Sequence, residues 1–146
     1  MMAPTTKFAH ELEAGDEYAP LEFVVTKDMN QQFLFAQEDF DPRYLSSKED
    51  SVALVHPAIL LQMAANTKSP SFKLAAGSGS ILSEAETTFV KPVAIGTKLT
   101  VRWRVTAAYE KRGRHYYVML AEMEDANGSR VLQRTLHLTF PGGEAT

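Results

Sequence analysis

Val55-His56-Pro57-Ala58-Ile59-Leu60-Leu61-Gln62-Met63-Ala64-Ala65-Asn66 is apolar on nearly every side once it is wound as a helix. Pro57 marks the start, because its fixed φ suits a first helical turn and its missing N–H would find no partner there. A helix apolar all round, yet far short of the roughly 20 residues that a membrane span needs, is a buried helix. Something else in the chain must cover it.

The second half of the sequence supplies the cover. Val101, Trp103 and Val105 alternate with Arg102, Arg104 and Thr106, a period of two that predicts a strand with one buried face. Strands are expected near Gly79–Val90, Lys98–Tyr109, His115–Glu124 and Arg130–Phe140. Lys111-Arg112-Gly113-Arg114 and Asp125-Ala126-Asn127-Gly128 have the composition of hairpin connections. Lys91-Pro92 and Ile95-Gly96 punctuate the first pair of strands. Upstream, Leu21–Val25 reads as a short strand and Thr26 as an N-cap. A helix follows, with Met29, Phe33 and Ala36 as its apolar stripe. Pro42 ends any helical run there, and Ser46–Ser51 is polar and expected to be exposed. Residues Thr67–Ser80 read as a loop, and Gly77-Ser78-Gly79-Ser80 as a turn, since it lacks the Lys and Ser/Thr ending of a phosphate loop.

The order strand, helix, loop, buried helix, then four long strands in meander order predicts an α+β hot-dog fold. In it a curved antiparallel sheet wraps a buried central helix. One such sheet leaves open edges, so a two-fold dimer with a continuous sheet is expected. Residues 1–20 are read as a loose N-terminal segment, 21–140 as the single domain, and 141–146 as a tail.

Composition narrows the chemistry. The 146 residues are 45% hydrophobic and 23% charged, which suits one globular domain. Fifteen Lys and Arg against 18 Asp and Glu leave a formal charge of −3, which disfavours nucleic acid as a partner. The chain has no cysteine, which excludes disulfides, thiolate nucleophiles and Cys-based zinc sites and suits a cytoplasmic location. No apolar run suggests a membrane span, and the acidic first 18 residues do not read as a signal peptide. No histidines share metal-ligand spacing on one element, so no metal is expected.

Three segments carry a resemblance. Phe33–Tyr44 is similar to the hydratase motif Gly-Asp-x-Asn-Pro-x-His of the MaoC-like hot-dog hydratases and dehydratases. Val55–Leu60 looks like the start of that family's central helix, and Phe89–Leu99 like its Phe-x-x-Pro-x-x-x-Gly-Asp connection. The sequence looks closest to the N-terminal, dehydratase-type halves, including the mycobacterial hydroxyacyl-acyl-carrier-protein dehydratase subunits. The resemblance runs from about Phe23 to Phe140. It implies a lyase that adds or removes water at the α,β bond of an acyl thioester, with no cofactor beyond the coenzyme A or phosphopantetheine that carries the acyl group. The partner it implies is another hot-dog subunit, identical or different.

Carried over position by position, Asp39 matches the motif's Asp, Asp41 replaces its Asn, and Tyr44 replaces its His. A histidine exchanges protons near neutrality, whereas a tyrosine, with an ordinary pKa of about 10, donates hydrogen bonds and is a poor base. Tyrosine at this position also occurs in the family's non-catalytic halves, as the resemblance implies. Pro57 stands where catalytic members often have Gly, whose N–H helps hold the thioester oxygen. The amides of Ala58 and Ile59 are the expected substitutes.

Each candidate has two readings at this stage. Asp39 is a base or water-holding carboxylate, or else a turn residue capping the loop through Asp41-Pro42. Tyr44 is a donor, or a packed aromatic with a solvated hydroxyl. His56 supplies the missing base to an Asp39/Tyr44/His56 cluster, or caps the buried helix. Arg112 and Arg114, with Lys111, Arg102 and Arg104, receive phosphates of the acyl carrier, or are a solvated hairpin and strand face. His115 and His137 read as ordinary sheet-face residues. The whole chain is a hydratase/dehydratase, a non-catalytic acyl-binding partner of a heteromeric dehydratase, or a hot-dog isomerase or cyclase.

Overall fold

The structure is a computed structural model and describes residues 3–45 and 52–142. Ser46–Ser51 and the last four residues of the expected tail lie outside the described residues. In chain order the elements are β1 (Leu21–Val24), α1 (Lys27–Gln37), α2 (Pro57–Met63), β2 (Ile81–Phe89), β3 (Lys98–Lys111), β4 (Arg114–Asp125) and β5 (Arg130–Thr139). All strand pairs are antiparallel, in the order β1-β3-β4-β5-β2. This is the expected curved sheet with its helix, the hot-dog architecture.

β3, β4 and β5 lie where the sequence pattern placed them, each with one face on the core, whereas β2 is exposed along nearly its whole length. The β3–β4 connection is a two-residue turn in which Arg112 (φ 54°) and Gly113 (φ 76°) are both left-handed, the geometry that matches strand twist. One expectation of order fails. The strands β3, β4 and β5 form a meander, but β2 pairs with β5 at the far edge and not with β3. The β2–β3 connection explains this. Val55 donates to the Val93 carbonyl, Ile95 to Ala53 and Gly96 to Val25, so the connection is pinned to the segments flanking both helices and carried across to β1.

Register places the inner face in rows across β3, β4, β5 and β2. Val101–Met123–Leu132–Phe89 is one, Trp103–Ala121–Arg134–Thr87 the next, and Val105–Met119–Leu136–Ala85 the third. Over them lies α2, burying Ile59 and Leu60, followed by buried Ala64. The helix is shorter than its apolar run and is not buried all round: Pro57, Leu61 and Met63 are half-buried, because one sheet covers only one side. Its C-terminal carbonyls are met from the sheet. The Trp103 indole N–H donates to the Ala64 carbonyl (2.9 Å) and the Arg134 Nη1 to the Leu61 carbonyl (3.3 Å). Trp103→Phe removes the first donor and strands a buried carbonyl. Its expected cost is about 1–3 kcal/mol, read by urea unfolding.

Two local expectations are corrected. The N-cap of α1 is Thr26, as expected, its hydroxyl accepting from the Met29 N–H. The inward face, however, is Asn30 and Leu34, while Met29 and Ala36 face solvent. The described part of the N-terminal segment is also not loose. Ala9, Leu12 and Tyr18 belong to the core. Gly15, Asp16 and Tyr18 exchange backbone hydrogen bonds with Trp103 and Val105, extending the edge of β3 that β1 covers. Among the described residues no helix is long and apolar enough to cross a membrane.

Candidate active site

The motif segment is held by its own turns. Glu38 ends α1 in the left-handed conformation (φ 53°), and the Asp39 N–H closes back on the Leu34 carbonyl. Asp39 Oδ1 then accepts from the Asp41 N–H (3.1 Å), and Asp41 Oδ1 from the Arg43 N–H (2.9 Å), two successive Asx turns around Pro42. The turn role foreseen for Asp39 is therefore real, and it occupies only one of the two carboxylate oxygens.

The other oxygen, Oδ2, lies 3.0 Å from His56 Nε2. His56 is the N-cap of α2, its Nδ1 accepting from the Ala58 N–H at 3.1 Å. An acceptor Nδ1 carries no proton, so in the neutral ring the proton sits on Nε2 and is donated to Asp39. The capping and cluster readings of His56 are thus both realised by one ring. With both nitrogens engaged, the imidazole has no free lone pair for a substrate proton, and it is a positioning group for Asp39. Exposure agrees: the Asp39 side chain is 38% exposed and that of His56 only 17%, so the carboxylate is what a ligand can reach.

Tyr44 completes the cluster. Its ring centroid is 4.8 Å from that of His56, and Phe33 holds the imidazole at 5.0 Å. Arg43 lies over the Tyr44 ring at 5.5 Å and pairs with Asp41 through two nitrogens. Asp41 is thereby a turn and ion-pair residue that sets Arg43. The Arg43 guanidinium and its backbone N–H hold the Asp41 carboxyl down at about 2. Because the fold depresses this pKa, its stabilising contribution is present above the ordinary 3.8 and is lost as pH falls through about 2. Arg43→Gln is expected to return the Asp41 carboxyl toward its ordinary range, which an NMR titration of the side chain reads.

Asn30 is the residue that sequence reasoning missed. Fully buried, it accepts the His56 N–H at Oδ1 (3.0 Å) and donates from Nδ2 to the carbonyls of Tyr44 and Leu54 (3.1 Å each). One side chain thus joins α1 to both halves of the cluster. A single Asn within an amphipathic helix gives no sequence signal of this kind; only its place one turn before Phe33 and Leu34 hints at an inward direction.

Two site expectations are not met. The amides of Ala58 and Ile59 are already committed, the first to His56 Nδ1 and the second to the His56 carbonyl (3.0 Å), so neither is free for a thioester oxygen. Arg112 and Arg114 sit at the far tip of the β3–β4 hairpin. Lys98, at the other end of β3, pairs with Val24, close to α1. At about 3.3 Å per residue, the 14-residue β3 separates the two regions by tens of ångströms within one chain. A cleft of about 380 Å³ opens beside the cluster, lined by Tyr44, Leu54, Pro57, Leu60, Phe89 and Val90 among others. It is mostly apolar, as an acyl group would require.

With this geometry in hand, comparison with known proteins gives a family. A model described as "FAS1-like, dehydratase domain region" matches residues 13–134. No curated protein matches the chain. Among solved structures, the chain is similar to the MaoC-like dehydratase from Rhodospirillum rubrum, with a TM-score of 0.71 and 18% identity, over 96% of this chain and 99% of that one. The (R)-hydratase from A. caviae involved in PHA biosynthesis follows the same path, with a TM-score of 0.68 and 19% identity over 91% and 100% of the two chains. The HadBC (3R-hydroxyacyl-ACP dehydratase) complex from Mycobacterium tuberculosis contains a similar chain, with a TM-score of 0.66 and 20% identity over 89% and 98%. At these identities the structures establish the shared fold.

Proposed function

Since the chain belongs to the FAS1-like dehydratase domain region, we propose that it is a hydratase/dehydratase-type lyase acting at the α,β bond of an acyl thioester. The observation that carries this reading is the accessible Asp39 carboxylate, held 3.0 Å from Nε2 of the half-buried His56 beside an apolar cleft. Asp39 is the base. In dehydration it takes the proton from Cα and returns it to the β-hydroxyl, which leaves as water, so the carboxylate ends unchanged. In hydration it takes a proton from water as the oxygen bonds to Cβ and delivers it to Cα. His56 keeps the carboxylate oriented. Tyr44, which lines the cleft, donates a hydrogen bond to the thioester oxygen in place of the amides that Ala58 and Ile59 cannot offer. The acyl carrier is coenzyme A or a phosphopantetheine arm, and no other cofactor enters.

Purified chain mixed with crotonyl-coenzyme A tests this by loss of the enoyl absorbance. Turnover by the chain alone is the expected result. A second reading is favoured by two observations, the tyrosine in the motif's histidine position and the committed amides at α2. On that reading the chain binds the acyl group while another hot-dog subunit supplies the catalytic pair. Inactivity alone, with activity restored by mixing with such a subunit, would select it.

A further inference from the structure

Of the twelve side chains in the three central rows of the sheet's inner face, only Arg134 is charged. Its neighbours along β5, Leu132 and Leu136, are buried, and its cross-strand partners are Ala121 and Thr87. One nitrogen, Nη1, supports the Leu61 carbonyl. Nε is buried and has no partner, and no ion pair to Arg134 exists among the described residues. Burial pulls the guanidinium's pKa down, and no carboxylate offsets it. Trp103, in the same row, supports the same helix end with a single neutral donor. Capping α2 therefore does not account for a five-donor cation here. The side chain is half-buried with one buried, unpartnered donor, and an anion on that edge would supply both the missing acceptor and the counter-charge.

Its position says which anion. Arg134 stands behind the cleft wall and does not line the cleft itself: it bonds the carbonyl of Leu61, next to the lining residue Leu60, and pairs across the sheet with Thr87, two residues from the lining residue Phe89. We propose that Arg134 is a specificity-determining residue that takes a carboxylate on the distal end of the acyl chain, through the Nε–Nη2 edge of its guanidinium. This rests on the acyl-thioester reading above. From His56 to Leu61 the helix rises about 7.5 Å, roughly the length of six chain carbons, so the carboxylate stands about that far beyond the reacting carbons. Arg–carboxylate forks are geometrically selective, so the neutral chain of equal length is the proper comparison.

The test uses suberyl-coenzyme A and octanoyl-coenzyme A, eight-carbon thioesters with and without a terminal carboxylate, titrated calorimetrically into wild type and Arg134→Met. The expected result is that Arg134→Met weakens suberyl binding at least tenfold and changes octanoyl binding by less than twofold. Loss of the Leu61 support alone would weaken both equally, and that result, or no change in either, overturns the proposal. A changed assembly mass in Arg134→Met with unchanged selectivity would also overturn it and assign the guanidinium to a subunit contact. If wild type binds octanoyl-coenzyme A without any Arg134-dependent selectivity, this inference alone falls. If it binds neither thioester, the acyl-thioester reading falls first.

Discussion

Asp39→Asn is expected to lower the hydration rate of crotonyl-coenzyme A by about 10²- to 10⁴-fold while leaving the fold intact. An amide keeps the shape of the carboxylate. Its oxygen can still accept from the Asp41 N–H or from His56 Nε2, so the Asx turn survives at least in part. It cannot take a proton from water or from Cα. Rate and stability should therefore separate: a large loss in kcat, and a change in urea midpoint that is small beside it. His56→Gln should behave differently. Its side chain can still donate toward Asp39, but it loses the ring's fixed geometry and the cap on the Ala58 N–H. Partial activity with a modest loss of stability is the outcome for a positioning group. A loss equal to that of Asp39→Asn would move the base onto the imidazole.

The second large effect is on stability. Asn30→Leu preserves much of the side-chain volume and removes three hydrogen bonds at once. It leaves the His56 N–H and the carbonyls of Tyr44 and Leu54 without their buried partner. At about 1–3 kcal/mol for each stranded group, partly relieved by relaxation, the expected loss is on the order of 3–5 kcal/mol by urea unfolding. Activity should fall as well, because the same side chain sets the start of α2 against the motif turn. Leu34→Ala, on the same buried face of α1, offers a control. It removes apolar packing of comparable stability cost, yet leaves the clamp on Tyr44 and His56 in place. Equal stability loss with unequal activity loss between the two would separate positioning from general destabilisation.

These residues also show how far the sequence alone reaches. The strands were legible because a half-buried sheet imposes a period of two on its residues, and β3 from Leu99 to Val105 obeys it without exception. The buried helix was legible from composition, although its length was not. Burial of the segment after Met63 continues through Ala64 and Asn66 in a turn, which apolar content does not distinguish from helix. The edge position of β2 depends on hydrogen bonds that the Val93 carbonyl accepts and the Ile95 and Gly96 N–H groups donate, all with residues far away in the chain, and no local pattern encodes those. The packing of the N-terminal segment depends likewise on the backbone of β3. At the site, Asp39, Tyr44 and His56 were reachable because motif spacing and the Pro57 helix start mark them. Their roles were not, since a tautomer depends on which group meets each ring nitrogen. Asn30 was invisible for the same reason: its importance lies wholly in three partners 14 to 26 residues away.

The central claim is that one carboxylate, Asp39, handles both protons from one side of the substrate. The stereochemistry of hydration in deuterated water tests it most directly. A single base on one face delivers oxygen to Cβ and deuterium to Cα from that same face. NMR of the 3-hydroxybutyryl product is therefore expected to show a single diastereomer, that of syn addition. The anti diastereomer, or a mixture of the two, would contradict the account, because it requires a second proton-carrying group on the opposite face.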